Sequence, residues 1–223
     1  MSAVLHESAT AATGEASAFR LVSSIRAAVY VPGAIVLAFT AHLHRTIMFD
    51  LIFVGIFGIV SALALGATVF RVGVRSLGRA VVAHAALNAA VGILALTLVA
   101  SALEAQSLVS GDAAAVAQAL TLREGVIDML AILVIAWAAG TAVIDVLLGW
   151  FSRGRSYARD YFVLAACAAI LAIVCLFVGE DIVALMGFCG GYLAIAGVYL
   201  GIAAASVGVT PHPRGSVQAE IQS

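Results

Sequence analysis

Six stretches of apolar residues divide this chain, at roughly 27–42, 48–70, 80–103, 126–151, 161–179 and 182–207. Most approach the ~20 residues that a helix needs to cross about 30 Å of hydrocarbon at about 1.5 Å per residue. The composition leaves no room for a water-soluble fold of this size. Of 223 residues, 64% are hydrophobic and 10% charged, where a soluble domain carries about 25% charged residues. Lipid must supply part of the solvent, and the expected fold is an all-α membrane bundle of six transmembrane helices.

The first stretch is the weakest, because it holds Pro32 and Gly33 and is interrupted by Thr40 and His42. It is expected to start before Arg26 or to span with a kink, since membrane helices tolerate Pro when neighbours satisfy the freed carbonyl. Residues 1–20 are rich in Ala, Ser and Thr, carry Glu7 and Glu15, and lack the continuous apolar core of a signal peptide. They read as a disordered cytoplasmic tail, as do 208–223, leaving 21–207 as the transmembrane domain.

The arginines set the orientation. Arg20 and Arg26 are read as preceding the first helix, Arg71, Arg75 and Arg79 lie between the second and third, Arg153, Arg155 and Arg159 between the fourth and fifth, and Arg214 follows the sixth. The alternate loops hold only Arg45 and Arg123, with Asp50, Glu104, Asp112, Glu124, Glu180 and Asp181. The positive-inside rule then predicts both termini in the cytoplasm. One outer loop, about 104–125, is longer than the others; Ser110-Gly111-Asp112 before an Ala-rich run predicts a capped short helix at the membrane surface.

The six helices also divide into three hairpins, 21–72, 79–151 and 159–207. Each hairpin starts at an Arg (Arg26, Arg79, Arg159), each first helix has small residues in its middle, and each second helix ends in a Gly-bearing segment closing at Gly66, Gly149 or Gly201. Four residues before those glycines stand Ala62, Asp145 and Gly197. The last hairpin, from Arg159-Asp160-Tyr161 through Leu176-Phe177-Val178-Gly179 to Ala194-Ile195-Ala196-Gly197-Val198-Tyr199, resembles the repeat of the HdeD-type acid-resistance membrane proteins. The resemblance covers about 20–207 in topology and about 159–205 in sequence. It departs from the family at the turns, where Pro is replaced by Gly179-Glu180-Asp181 and His42-Leu43-His44-Arg45. It implies a multi-pass protein of a bacterial inner membrane, of stress-response type, with no enzymatic site to carry over.

Ionisable groups inside membrane helices are costly and are functional suspects by default. His84 in the third helix and Asp145 in the fourth lie at comparable depth from the same face and are expected to pair. With Asn88 one turn further on, they form either a proton-responsive element or a polar clasp between helices. The spacing His84-x-x-x-Asn88 is similar to a helix of intramembrane CAAX-type proteases, but those enzymes need a Glu-Glu pair and this chain has none. At the outer surface His42 and His44, with Asp50 one turn into the second helix, are candidates for a pH-sensing turn. They do not make a metal set.

Packing signals are small residues four apart: Ala62 and Gly66 on the second helix, Gly187 and Gly191, and Gly197 and Gly201, on the sixth. They suit packing within the chain or an oligomer interface. Cys167, Cys175 and Cys189 read as small buried hydrophobes. No phosphate-binding loop, nucleophile elbow or redox Cys pair is present, so no enzyme, no cofactor and, with a net charge of -1, no nucleic-acid partner is expected. The readings left open are a non-enzymatic stress-tolerance protein acting through its fold and lipid contacts, a small channel or transporter built on His84 and Asp145, and an accessory subunit of a larger membrane complex.

Overall fold

A computed structural model describes residues 2–44, 46–72, 76–108 and 113–206, the side chains of 2–13, 72 and 76 excepted. Among these residues there are six long helices and no strand: α1 (Ser2–Phe39), α2 (Ile47–Val72), α3 (Ser76–Leu108), α4 (Ala113–Phe151), α5 (Ala158–Val178) and α6 (Ile182–Ser206). Each contains a segment long and apolar enough to span a membrane. Exposed Ile, Leu, Val and Phe cover the outside of the bundle (Phe70 is 93% exposed and Phe177 85%), as a lipid-facing surface requires and a water-facing one forbids.

Two expectations about the ends are corrected. Helix α1 starts at Ser2, so the N-terminal segment read as a disordered tail is helical and continuous with the first span. Pro32 sits inside that helix without ending it. The short surface helix expected in the third-to-fourth loop is instead the beginning of α4, which runs unbroken from Ala113; Ser110-Gly111-Asp112 lies outside the described residues, as does the tail 208–223.

The helices form a closed ring in chain order, each packing on its sequence neighbours, with α6 returning to α1. The most extensive seams are α2 with α3, α1 with α6, and α4 with α5. The three hairpins are therefore units of connectivity, while most of the close packing lies between one hairpin and the next. Glycine explains the tightest seam. A Cβ added at Gly58 would stand 2.7 Å from the Asn88 carbonyl oxygen and from Gly92 Cα, so α2 and α3 touch backbone to backbone.

Of the small residues predicted to pack, Gly197 does so: its missing Cβ would meet Val31 at 2.9 Å and Tyr30 at 3.1 Å. Gly201 has ordinary contact with Ala27, and Ala62 is half-buried. Gly66, Gly187 and Gly191 have nothing within 4 Å. The correction has a simple cause. Residues four apart share a helix face, but spacing alone does not say whether that face meets a helix of the same chain.

Inside the ring the centre is filled by aromatic rings from four helices. Tyr30, Phe57, Trp137 and Tyr192 form a closed cycle with centroids 5.9, 6.1, 5.7 and 6.2 Å apart in turn, spacings typical of favourable aromatic pairs. Toward the end where α1 enters, Phe19 stacks on Tyr157 at 4.6 Å and meets Tyr161 edge-on. Tyr157 and Tyr161 are thus buried, and burial pushes the Tyr157 hydroxyl above its ordinary range against the pull of Arg155. Arg155 also pairs with Glu15 across to α1.

Candidate functional site

Two buried polar clusters lie on either side of the aromatic cycle. The larger one is built on Asp145, four residues before Gly149 on α4 and fully buried. Its carboxylate accepts two parallel hydrogen bonds from the Arg26 guanidinium, Nη1 to Oδ1 at 2.9 Å and Nη2 to Oδ2 at 3.0 Å. His84 Nε2 lies 3.0 Å from Oδ1. Asn88 donates Nδ2 to the His84 carbonyl at 2.7 Å, and Trp137 donates Nε1 to Asn88 Oδ1 at 3.0 Å. The network thus joins α1, α3 and α4 through five side chains.

Its place in the ring matters. Helices α1 and α4 are not neighbours and make little backbone contact, so Arg26 and Asp145 reach across the interior. Arg26 is seven residues, about 10 Å, inside Phe19, and Asp145 is six residues, about 9 Å, inside the end of α4. The guanidinium also lies 5.6 Å from the centre of the Tyr30 ring, a cation–π contact that ties the ion pair to the aromatic cycle. Arg26 is 2% exposed, and a charge so enclosed is tolerable only when paired and hydrogen-bonded. The bidentate geometry supplies both.

This corrects the reading of Arg26 as a residue preceding the first helix. The sequence held a signal for its position: Phe19, Val22, Arg26, Tyr30, Ala34 and Leu37 recur at intervals of three and four, and all are buried. The structure also brings together His84, Asn88 and Asp145. Around them Ser23 Oγ, Arg26 Nε, His84 Nδ1, Thr141 Oγ1, Tyr161 OH and Tyr192 OH are buried without a hydrogen-bond partner among the described residues, which makes this layer rich in polar atoms. A cavity of about 30 Å³ beside Asn88 and Trp137 has room for little more than a water molecule.

The second cluster closes the turn between α1 and α2. The last carbonyls of a helix have no partner within it. Near the end of α1 the Leu37 carbonyl faces His44 Nε2 at 3.2 Å, and the other ring nitrogen, Nδ1, faces Asp50 Oδ1 at 2.5 Å. Both residues are buried, 3% and 0% exposed, with the Phe49 ring edge-on to His44 at 5.4 Å. His42 is exposed on the same turn and takes no part. Of the three outer-face candidates the structure joins His44 to Asp50 and leaves His42 apart.

Elsewhere Tyr199 donates to Asp160 Oδ1 at 2.8 Å. Cys175 on α5 and Cys189 on α6 are buried free thiols. Among the described residues no three His, Cys, Asp or Glu side chains converge as a metal set would.

Fold and site together define a multi-pass membrane protein: a ring of six spanning helices braced across its centre by a buried ion pair. Neither a protein-family model, nor a curated protein, nor a solved structure matches the chain.

Proposed function

We propose that this chain is a non-enzymatic multi-pass protein of a bacterial inner membrane, with both termini inside, that serves acid or envelope-stress tolerance and is of the type its last hairpin resembles, the HdeD-like proteins. The observation that carries the reading is the His44–Asp50 contact. An imidazole whose Nε2 faces a carbonyl must donate from that nitrogen, because a carbonyl only accepts. Its Nδ1 then faces a carboxylate oxygen at 2.5 Å, and two bare lone pairs cannot meet there. A proton must lie between them, on the ring or on the carboxyl.

The closed turn therefore holds one proton more than a neutral imidazole beside a free carboxylate. By linkage, the state that binds more protons gains as pH falls, so acidification favours the closed turn down to about pH 6.5, where the imidazole of an open turn would itself charge, and rising pH loosens it. With the arginine-rich end inside, this turn faces the outside, where acid arrives. Asp50 feels His44 and, on α6, the Cys189 thiol; no other charged or titratable group among the described residues bears on it.

The Arg26–Asp145–His84 cluster fits a structural role in this reading. Its carboxylate is occupied on both oxygens, and the aromatic cycle and a cavity of about 30 Å³ leave little room for a solute to pass. A channel or transporter built on His84 and Asp145 would need that layer to open.

Acid challenge of a deletion strain, complemented with wild type, His44→Gln or Asp50→Asn, tests the proposal. Loss of survival at low pH with normal growth at neutral pH, restored by wild type and not by either variant, is the expected result. Equal acid survival of the deletion strain and its parent would overturn it, and proton or solute flux in proteoliposomes would favour the transporter.

A further inference from the structure

The helices differ in length, and the difference leaves a step at the end of the bundle where the acidic residues gather. Gly55 of α2 packs on Leu96 of α3. Counting eight residues back along the antiparallel pair, Ile47 at the start of α2 comes level with about residue 104. Helix α3 continues to Leu108 and α4 begins at Ala113, so both stand above α2. In the angle of this step lies a pocket of about 390 Å³, within the range of about 300–1,000 Å³ that holds small molecules.

Its chemistry is divided. The floor is made of Ala102, Ala105 and Ala119, all buried, with Val126 beside them. Three alanines on facing helices leave the space that longer side chains would fill. At the rim stand Arg123, Gln106 and Thr46, all exposed. Glu104, Glu124 and Asp128 share this end of the bundle, but none of them lines the pocket. The one charge presented to the pocket by the described residues is thus positive.

We infer that this pocket binds a membrane-derived amphiphile with a single acyl chain and an anionic carboxylate or phosphate head. The chain lies over the alanine floor, where apolar area leaves water. The head meets the Arg123 guanidinium, whose planar fork matches either oxyanion with two hydrogen bonds, and Gln106 and Thr46 add neutral donors. The pocket sits at the level where α2 enters its spanning segment at Ile47, the depth at which lipid head groups and acyl chains meet. This inference stands apart from the acid-tolerance reading, since it uses neither His44 nor Asp50.

Native mass spectrometry of the full chain in a non-ionic detergent tests it, with oleate, lysophosphatidate, inorganic phosphate or an alkyl glucoside added singly. The expected result is one saturable adduct with oleate or lysophosphatidate, and none with phosphate or glucoside. Arg123→Gln should weaken that adduct at least about tenfold, and Ala105→Leu or Ala119→Leu should abolish it by filling the floor. Ala117→Leu, outside the pocket, should leave it unchanged. If the alanine variants lower the melting temperature, Arg123→Gln decides alone. Non-saturable binding, binding unchanged in Arg123→Gln, adduct formation by phosphate as strong as by oleate, or equal binding of the uncharged glucoside would each overturn the assignment.

Discussion

Arg26 and Asp145 meet through two parallel hydrogen bonds at 2.9 and 3.0 Å although their helices, α1 and α4, stand on opposite sides of the ring. Each helix otherwise leans on its two neighbours, so this pair is the principal polar tie across the interior.

Removing one partner strands the other as a buried charge. Asp145→Asn and Arg26→Met are each expected to cost about 3–5 kcal/mol, read as a drop in melting temperature of the detergent-solubilised protein. The double variant Arg26→Met with Asp145→Leu leaves no unpaired charge and should recover much of that loss. A double variant no more stable than the worse single one would show that the pair is not the coupled unit described.

The turn between α1 and α2 should respond to pH in a defined direction. Hydrogen exchange of the backbone amides at 40–50 is expected to slow as pH falls from about 8 to about 6.5, because the closed turn holds the extra proton over that range. Asp50→Asn removes the titratable partner and should flatten that dependence. His44→Gln should flatten it as well and speed exchange at acidic pH. Exchange that is faster at about pH 6.5 than at about pH 8, after correction for intrinsic rates, would contradict the direction.

Glycine positions separate contact from open surface. Gly58→Ala and Gly92→Ala each place a methyl group less than 3 Å from backbone atoms of the facing helix, and overpacking of this kind costs about 1–3 kcal/mol. Gly66→Ala, Gly187→Ala and Gly191→Ala meet nothing within 4 Å and should be neutral or slightly stabilising, since Ala is the better helix former. Thermal unfolding of the five variants checks the division.

Trp137→Phe keeps the aromatic cycle but leaves Asn88 Oδ1 without its donor. The expected cost is about 1–3 kcal/mol, that of a buried acceptor left unsatisfied. Fluorescence gives a companion check. Trp137 is 6% exposed and Trp150 55%, so Trp150→Phe should leave blue-shifted emission that aqueous quenchers do not reach.

Much of the architecture was readable in the sequence because lipid imposes length and apolarity on every span, and most of the six runs met both. The depth of His84 and Asp145 followed from counting residues along two helices. The partner Arg26 was harder to find. Orientation rules treat arginine as a marker of the inner surface, and that habit outweighed the stripe from Phe19 to Leu37 in which it sits. Likewise Gly187 and Gly191 carry the packing spacing but meet no neighbouring helix of this chain, whereas Gly58 and Gly92 lie on different helices and show no shared spacing. The His44–Asp50 contact depends on how a turn folds back over the last carbonyls of α1, a tertiary matter that residue spacing does not encode.

The distance along the chain between Arg26 and Asp145 has a consequence for biosynthesis. The two are 119 residues apart, so at about 5–20 residues per second the arginine is made roughly 6–24 s before its counter-ion. During that interval α1 carries an unpaired guanidinium well inside its span, a position that lipid alone penalises by about 2.5–3.5 kcal/mol. The insertion machinery must therefore shelter α1, or hold it near the surface, until α4 arrives. A nascent chain stopped short of Asp145 is expected to be recognised as incomplete and degraded.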